Sequence, residues 1–500
     1  MKDRTNLGDI LPREAPEHPL FIDLRVSNQP KTWRTDEFDR AAAAVADGLH
    51  RRGFAPGARI AILAANRAEY MIAYFGTMRA GMVTVPINFK LRKETIDHIF
   101  HDAGIAAAFV DADRRPLVPA GYPTLDLDAL DAECRAPSAE RRVPSTEAAE
   151  IAKILYTSGS TGRPKGVPLP HAGQIWAVAK YFEGTEHGRQ EITLVVAPTY
   201  HKNGLFFSMM ALANQMTVVS LPKFEARSYL ETVAKYRCTL LTGIPTMFAL
   251  IAREHDLIGS LDFSSVRLVT IGSAPLTDGL VSRVTSIFPN AEVRNGYGTT
   301  EAGPIAFGPH PKGLPRPSLA LGYPFAEIEW RLVDGPTPHE GVLEMKTPAL
   351  MPGYLNLPDA TAEKLRDGWY STGDVMRHDA DGFFYFVSRA DDMFICGGEN
   401  VFPGEVEKLL ERHPAVAQAA VVPVPDEIKG QIPVAFVVKT PGTAPTEAEL
   451  KAFTLEHGPA FAHPRFVVFV DLIPVAGTHK VDRGDLIVRA TAEARSRGRV

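Results

Sequence analysis

Residues 156–167 read Tyr156, Thr157, Ser158, Gly159, Ser160, Thr161, Gly162, Arg163, Pro164, Lys165, Gly166 and Val167. Hydroxyls, glycines and two cations share one short stretch. A polyphosphate needs this chemistry: N–H and O–H donors for its oxygens and positive charge to offset its own. The Walker pattern Gly-x4-Gly-Lys-Ser/Thr is not met, because Gly162 is followed by Arg163, Pro164, Lys165 and Gly166. This is a different phosphate loop. A solvated Gly/Ser linker is the commoner origin of such a run. The apolar run 151–155 in front of it, a buried strand broken only by Lys153, and the Arg163, Pro164, Lys165 insertion argue for the loop. The glycines and Pro164 predict that the stretch after that strand is irregular.

The elements around the loop predict an α/β protein. Phe38, Ala42, Val45 and Leu49 recur at helical spacing over 35–53, with Thr35 to cap and Gly53 to end. Strands are expected at 59–64 and 82–85, and a helix at 69–80 with Met71, Phe75 and Met78 on one face. Helices alternating with short apolar strands imply mostly parallel sheets covered on both faces. Residues 112–150 read as a surface connection, and 305–350, rich in Pro and Gly, as a small β-subdomain with strands at 326–333 and 341–345. Beyond residue 390 a helix at 405–412, strands at 416–422 and 434–439, and a helix at 447–457 make a compact α+β unit. A chain of 500 residues exceeds what one core usually serves.

Composition narrows the class. With 45% hydrophobic and 23% charged residues and a net charge of −5, the chain reads as globular, with no nucleic-acid partner and no anionic membrane surface. Cys134, Cys238 and Cys396 are odd in number and far apart, which suits a reducing compartment and neither a disulfide framework nor a metal site. The first residues, Met1, Lys2, Asp3, Arg4 and Thr5, lack the apolar core of a signal peptide, and no apolar run approaches the ~20 residues of a membrane helix. A cytoplasmic protein without a membrane segment is expected.

The phosphate loop resembles the signature of the adenylate-forming (acyl-CoA synthetase, AMP-binding) superfamily, and further matches run to about residue 485. Residues 198–204 resemble Pro-x-x-His-x-x-Gly, and 297–301 resemble Tyr-Gly-x-Thr-Glu. Residues 360–370 and the pair Asp391, Asp392 look most like aryl-CoA ligases of the 4-chlorobenzoate type. The resemblance implies a large N-terminal domain of doubly wound, mostly parallel sheets over 1–390. It also implies a small mobile C-terminal domain over 391–500, turning at Asp391. It implies an AMP-forming carboxylic acid–CoA ligase using ATP, Mg²⁺ and coenzyme A on an aryl or medium-sized acyl acid. An enzyme loading a carrier protein's phosphopantetheine arm is the alternative, and a homodimer stays open.

The resemblance assigns Thr157, Ser158, Gly159, Ser160, Thr161, Gly162 and Lys165 to the ATP phosphates. Gly272, Ser273, Ala274, Tyr297, Gly298 and Thr299 border adenine, with the Tyr297 ring stacking on it, while Asp374 takes the ribose hydroxyls and Arg389 contacts the nucleotide. Thr300 offers a hydroxyl to a phosphate or carboxylate oxygen, and Glu301 a hard carboxylate to Mg²⁺. His201 stands beside the reacting carboxylate, and Gly272 and Gly296 border the acid. Gly296 leaves the pocket roomy. Lys202 and Asn203 either meet a polar group on the acid or face solvent. The absence of a carboxylate around His201 counts against an α-amino acid. Gly397 and Gly398 admit the pantetheine arm, Phe461 stacks on the CoA adenine, and His463 and Arg465 meet its phosphates. Lys480 falls at the catalytic lysine. Ser388 and His479 occupy positions where the family normally has glycine.

Overall fold

Two mostly parallel sheets build the N-terminal part. In the first, Thr124–Asp126, Ile105–Val110, Arg59–Leu63, Val83–Pro86 and Ile151–Thr157 lie in that order and run parallel; Lys165–Pro170 adds antiparallel to the last. In the second the order is Glu292–Gly296, Leu268–Gly272, Leu240–Gly243, Ile192–Val195, Thr217–Ser220 and Pro19–Asp23, all parallel, with Lys31–Arg34 antiparallel at the edge. Ile60, Ala61, Ile62 and Leu63 are all buried, as a strand covered on both faces requires. The computed structural model describes residues 4–25, 29–130, 147, 149–157, 163–183, 188–390, 392–397, 399–426, 428–475 and 481–497.

The helix Ala68–Arg79 joins the two sheets. Every one of its residues is buried, not only the expected face of Met71, Phe75 and Met78. It packs against the helix Thr35–Arg51 and against strands of both sheets. Its one buried cation is satisfied: Arg79 donates from Nε to Gly8 O at 2.6 Å, from Nη1 to Asp39 O at 2.8 Å and from Nη2 to Asp39 Oδ1 at 2.5 Å. Thr35 is the first residue of its helix and not the cap; Glu37 reaches back to accept the Arg34 N–H at 2.9 Å. Gly53 ends that segment at φ +79°. The connection over 112–150 carries an edge strand, Thr124–Asp126, that its composition hid.

The β-subdomain extends further than the sequence suggested. Its antiparallel sheet runs Glu329–Thr337, Glu340–Lys346, Trp369–His378 and Leu365–Arg366, with Phe384–Arg389 also paired to Trp369–His378. A smaller ladder pairs Phe307–Gly308 with Tyr323–Pro324. The C-terminal sheet has the order Glu399–Val401, Phe394–Cys396, Gly430–Lys439 and Val416–Asp426, with Phe466–Phe469 parallel to Gly430–Lys439. Helices Pro403–Glu411, Glu447–His457 and Arg483–Ser496 cover it. Val421, Val434, Phe436, Leu450 and Leu486 belong to a separate apolar core, so this part is a small domain with its own interior. It meets the rest through Lys408 Nζ, which donates to Phe386 O at 2.8 Å, and Arg283 Nη2, which donates to Ala417 O at 3.4 Å. Among the described residues no helix is long and apolar enough to cross a membrane.

Candidate functional site

Strand ends of the second sheet supply most of the site. Past Ile192–Val195 the chain turns into the helix Lys202–Ala213, with His201 at its N-cap. The turn is fixed from the first sheet by Asn66, which is 3% exposed. Its Nδ2 donates to Ala197 O at 3.0 Å, and its Oδ1 accepts from Thr199 N at 2.9 Å and Thr199 Oγ1 at 3.1 Å. The His201 ring meets Tyr200 edge-on at 4.6 Å between centroids. Lys202 turns inward, donating from Nζ to Gly298 O. Asn203 Oδ1 is buried and accepts no hydrogen bond among the described residues.

Leu268–Gly272 and Glu292–Gly296 end side by side, with Gly272 opposite Gly296. A Cβ on Gly272 would stand 2.6 Å from Gly296 O, so glycine is what lets the two strand ends close. Ser273 follows at φ +67° and is exposed, with Ala274 half-buried beside it. Tyr297, Gly298, Thr299, Thr300 and Glu301 continue from the other strand. Gly298 has backbone against it on one side: a Cβ there would meet Pro304 O at 2.2 Å. Thr299 Oγ1 accepts the Ala302 N–H at 2.8 Å and holds this turn, with Thr300 within it.

Three predicted site residues come together at the β-subdomain. Asp374, 6% exposed, accepts from the Tyr297 hydroxyl on Oδ2 at 2.5 Å and from Arg389 Nη1 on Oδ1 at 2.7 Å. Asp374 and Arg389 are partners across adjacent strands, so sheet register sets their contact. Burial, and then the Asp374 charge, raise the Tyr297 hydroxyl well above its ordinary pKa. It is therefore a fixed donor at neutral pH, and Asp374 is held ready as an acceptor.

Glu301 takes the Tyr354 hydroxyl on Oε1 at 3.0 Å, and among the described residues its other oxygen accepts no hydrogen bond. Lys165 Nζ lies 5.2 Å from the centre of the Tyr354 ring. Thr157 and Lys165 face each other across the hairpin that Ile151–Thr157 forms with Lys165–Pro170. Both ends of the 156–167 stretch are therefore strand, contrary to the irregular path expected from its glycines; ladder hydrogen bonds outweigh the local freedom there. Ser158, Gly159, Ser160, Thr161 and Gly162 lie outside the described residues.

Beneath Gly272 and Gly296 is a cavity of about 90 Å³. Tyr181, Asn203, Phe206, Thr270, Arg294 and Arg316 are among the residues that line it, as is Lys202. Gly296 lines the cavity, and a Cβ there would stand 3.1 Å from Thr270 Cγ2. Tyr181 and Thr270 hydroxyls pair at 3.0 Å.

In the C-terminal domain, Gly397 adopts φ +62° and donates to Lys429 O at 2.9 Å. His463 and Arg465 are adjacent, with Arg465 Nη1 2.8 Å from His463 Nε2. Burial, followed by Arg465, Lys451 and Lys429, lowers the His463 pKa, although its bond to Ala460 O acts the other way. Four basic side chains thus share one neighbourhood. Phe461 is half-buried against the domain core. Asp391, Gly398, His479 and Lys480 lie outside the described residues. The segment holding Lys480 is flanked by a bridge between Val475 and Val481 and by the Asp482 N–H, which donates to Pro474 O at 2.8 Å.

A model of the AMP-binding enzyme family matches residues 11–355, and one of the AMP-binding enzyme C-terminal domain matches 405–480. The chain belongs to the AMP-binding enzymes. Within this adenylate-forming superfamily it is similar to a feruloyl-CoA synthase from an Amycolatopsis species, 34% identical over 96% of this chain and 98% of the relative. It is also similar to a fatty acid–[acyl-carrier-protein] ligase, ScoC of Streptomyces coeruleorubidus, at 32% identity over 91% of each. Among solved structures, the anthranilate CoA ligase AuaEII in complex with anthranoyl-AMP superimposes with TM-score 0.88 at 25% identity, covering 98% of both chains.

Several members of the site gave no signal in the sequence. Asn66 and Tyr354 act across distances of more than 50 residues, and Arg294 and Arg316 belong to none of the motifs. Lys429 and Lys451 could have been flagged only by knowing that the fold brings them to His463.

Proposed function

We infer that this AMP-binding enzyme is an AMP-forming carboxylic acid–CoA ligase. The observation that carries the reading is the Tyr297, Asp374 and Arg389 cluster beside the paired strand ends at Gly272 and Gly296. A buried carboxylate with both oxygens oriented, next to a glycine-lined slot, suits the ribose and base of a nucleotide. The Tyr297 ring borders the slot, and its hydroxyl orients Asp374.

A carboxylate is a poor electrophile, and adenylation makes it a good one. A carboxylate oxygen attacks the α-phosphorus of ATP; the new P–O bond forms as the bond to the bridging oxygen breaks, and pyrophosphate leaves with that electron pair. Thr157 and Lys165, with Ser158, Gly159, Ser160, Thr161 and Gly162 between them, hold the β- and γ-phosphates in this reading. Thr300 donates to an oxygen of the reacting groups. His201, the residue before the cavity-lining Lys202 and Asn203, is assigned to the reacting carboxylate in this reading. Lys480 places its ammonium where charge builds between acid and phosphate. Glu301 fits Mg²⁺ through the oxygen that Tyr354 leaves open, and the ion would neutralise phosphate charge when bound.

In the second step the CoA sulfur attacks the acyl carbon; the C–S bond forms, the bond to the AMP oxygen breaks, and the thiol proton passes to solvent. His463, Arg465, Lys429 and Lys451 support a CoA phosphate site, and Gly397 with Gly398 a path for the pantetheine arm. Phe461 would have to turn out of the core to stack on a base. Lys480 and the CoA groups reach the acid in turn by rotation of 391–500 about Asp391.

ATP–pyrophosphate exchange over a panel of aryl, aliphatic and amino acids tests the reading. Exchange with carboxylic acids, followed by thioester on adding CoA, is expected; no exchange with any acid refutes it. Lys480→Ala should abolish exchange yet leave thioester formation from supplied acyl-adenylate largely intact. Similarity to the carrier-protein ligase keeps a second reading, which a requirement for holo-carrier protein in place of CoA would select.

A further inference from the structure

We propose that the acid carries a second anionic group, at the end away from the reacting carboxylate, and that Arg294 and Arg316 recognise it. The inference rests on the ligase reading and specifies its substrate.

Among the described residues three cationic side chains line the cavity, Lys202, Arg294 and Arg316, and no carboxylate does. Arg294 spends its charge on Glu292, donating from Nε and Nη2 to the two carboxylate oxygens at 2.7 Å each. Arg316 has no such partner among the described residues. It donates from Nη1 to Leu321 O and from Nη2 to Gly308 O, both at 3.1 Å, so it is hydrogen-bonded but not neutralised. Burial, then the charge of Arg294, pushes its pKa down to about 10. Glu292, already paired with Arg294, also acts on Arg316 at longer range, so two enclosed guanidiniums share one carboxylate, and an anion in the cavity is the group that would supply a second counter-charge.

Strand geometry sets the spacing. Thr270 pairs with Arg294, and Gly272 with Gly296, one pleat repeat nearer the strand ends. Residues two apart share a face and are separated by about 6–7 Å. We take the second group to lie about one such step below the reacting carboxylate. A benzene dicarboxylate or a six-carbon dicarboxylate has this reach.

The test is ATP–pyrophosphate exchange by the full chain on matched pairs: terephthalate against 4-methylbenzoate, and adipate against hexanoate. The diacid of each pair should have the higher kcat/KM, by roughly ten- to a hundredfold, the range for a charge-assisted hydrogen bond. Arg316→Gln and Arg294→Gln should raise KM for the diacid by a similar factor while changing kcat little and leaving the monoacid unaffected. Preference for the monoacid, or for 4-methoxybenzoate over terephthalate, overturns the proposal and leaves the ligase reading standing. Equal losses on both members of a pair also overturn it, because the guanidiniums then act only as braces. If a variant does not fold, the wild-type comparison decides alone. Exchange with no acid at all overturns the ligase reading, and this proposal with it.

Discussion

Lys153 lies in the strand Ile151–Thr157 that leads into the glycine-rich stretch, 2% exposed. Burial pulls its pKa from 10.5 to about 7. The aromatic partner nearest its Nζ is the Tyr74 ring, whose centre is 5.9 Å away. The unfolded chain holds the proton that the folded chain gives up, so folding is opposed at neutral pH. Each pKa unit is worth about 1.4 kcal/mol, so the cost approaches ~4 kcal/mol at pH 7. The contact with Tyr74 returns about 1 kcal/mol. Lys153→Met, similar in length and apolar, should therefore stabilise the N-terminal part by about 2–3 kcal/mol at pH 7. The sign is specific. A depressed lysine pKa gives stability that is complete above 10.5 and lost as pH falls through about 7. The advantage of Lys153→Met should thus shrink to about 1 kcal/mol by pH 9.5. Urea unfolding midpoints of wild type and variant at pH 7, 8.5 and 9.5 measure both. A variant less stable than wild type at pH 7, or a gain that does not shrink with rising pH, refutes the reasoning and means the ammonium is satisfied where it is.

Asp374→Asn removes the charge that Arg389 and Tyr297 hold, and should raise KM for ATP in the exchange assay about ten- to a hundredfold without raising KM for the acid. An unchanged KM for ATP would remove Asp374 from the nucleotide site. His171, 2% exposed, accepts the Leu7 N–H on Nδ1 at 2.8 Å, and burial lowers its pKa from 6.5 to about 4. Its contribution, about 3 kcal/mol, is complete above pH 6.5 and lost as pH falls through 4; the urea midpoint should drop over that window, and His171→Gln should flatten the slope. Asn66→Ala leaves several buried backbone groups without partners and should cost about 3 kcal/mol in urea unfolding, with a fall in exchange rate as the His201 turn loosens.

Local patterns in the sequence carry the parallel sheets and the order of the site motifs, because short apolar strands, glycine at strand ends and helical periodicity are read within a dozen residues. The chemistry at Asp374 was legible as a motif but not as a cluster: its contact with Arg389 depends on strand register, and that with Tyr297 on a different sheet. The antiparallel pairing of Ile151–Thr157 with Lys165–Pro170 was masked by glycines that promise irregularity, although the partner strand supplies ladder bonds. The helix Ala68–Arg79 looked one-sided because Tyr70, Tyr74 and Arg79 are polar by type, yet two sheets and a helix enclose them. The charges in the acid cavity were the least legible, since arginine in a strand or loop is ordinarily solvated and only tertiary packing turns it inward.

The rung between Asp374 and Arg389 has a mechanical consequence. The next residue, Ala390, is clamped to the same sheet by its N–H, which donates to Gly373 O at 2.8 Å. The first strand of the C-terminal sheet, Phe394–Cys396, begins after only three intervening residues, so 391–393 are all the tether there is. Any reorientation of the small domain must be a swing on that short axle, since a slide would tear the rung. On the proposed reading the nucleotide pocket would then be a stator: the sugar contact assigned to Asp374 would belong to the half that stays still, and whatever the small domain carries would arrive and depart around a bound nucleotide without disturbing it.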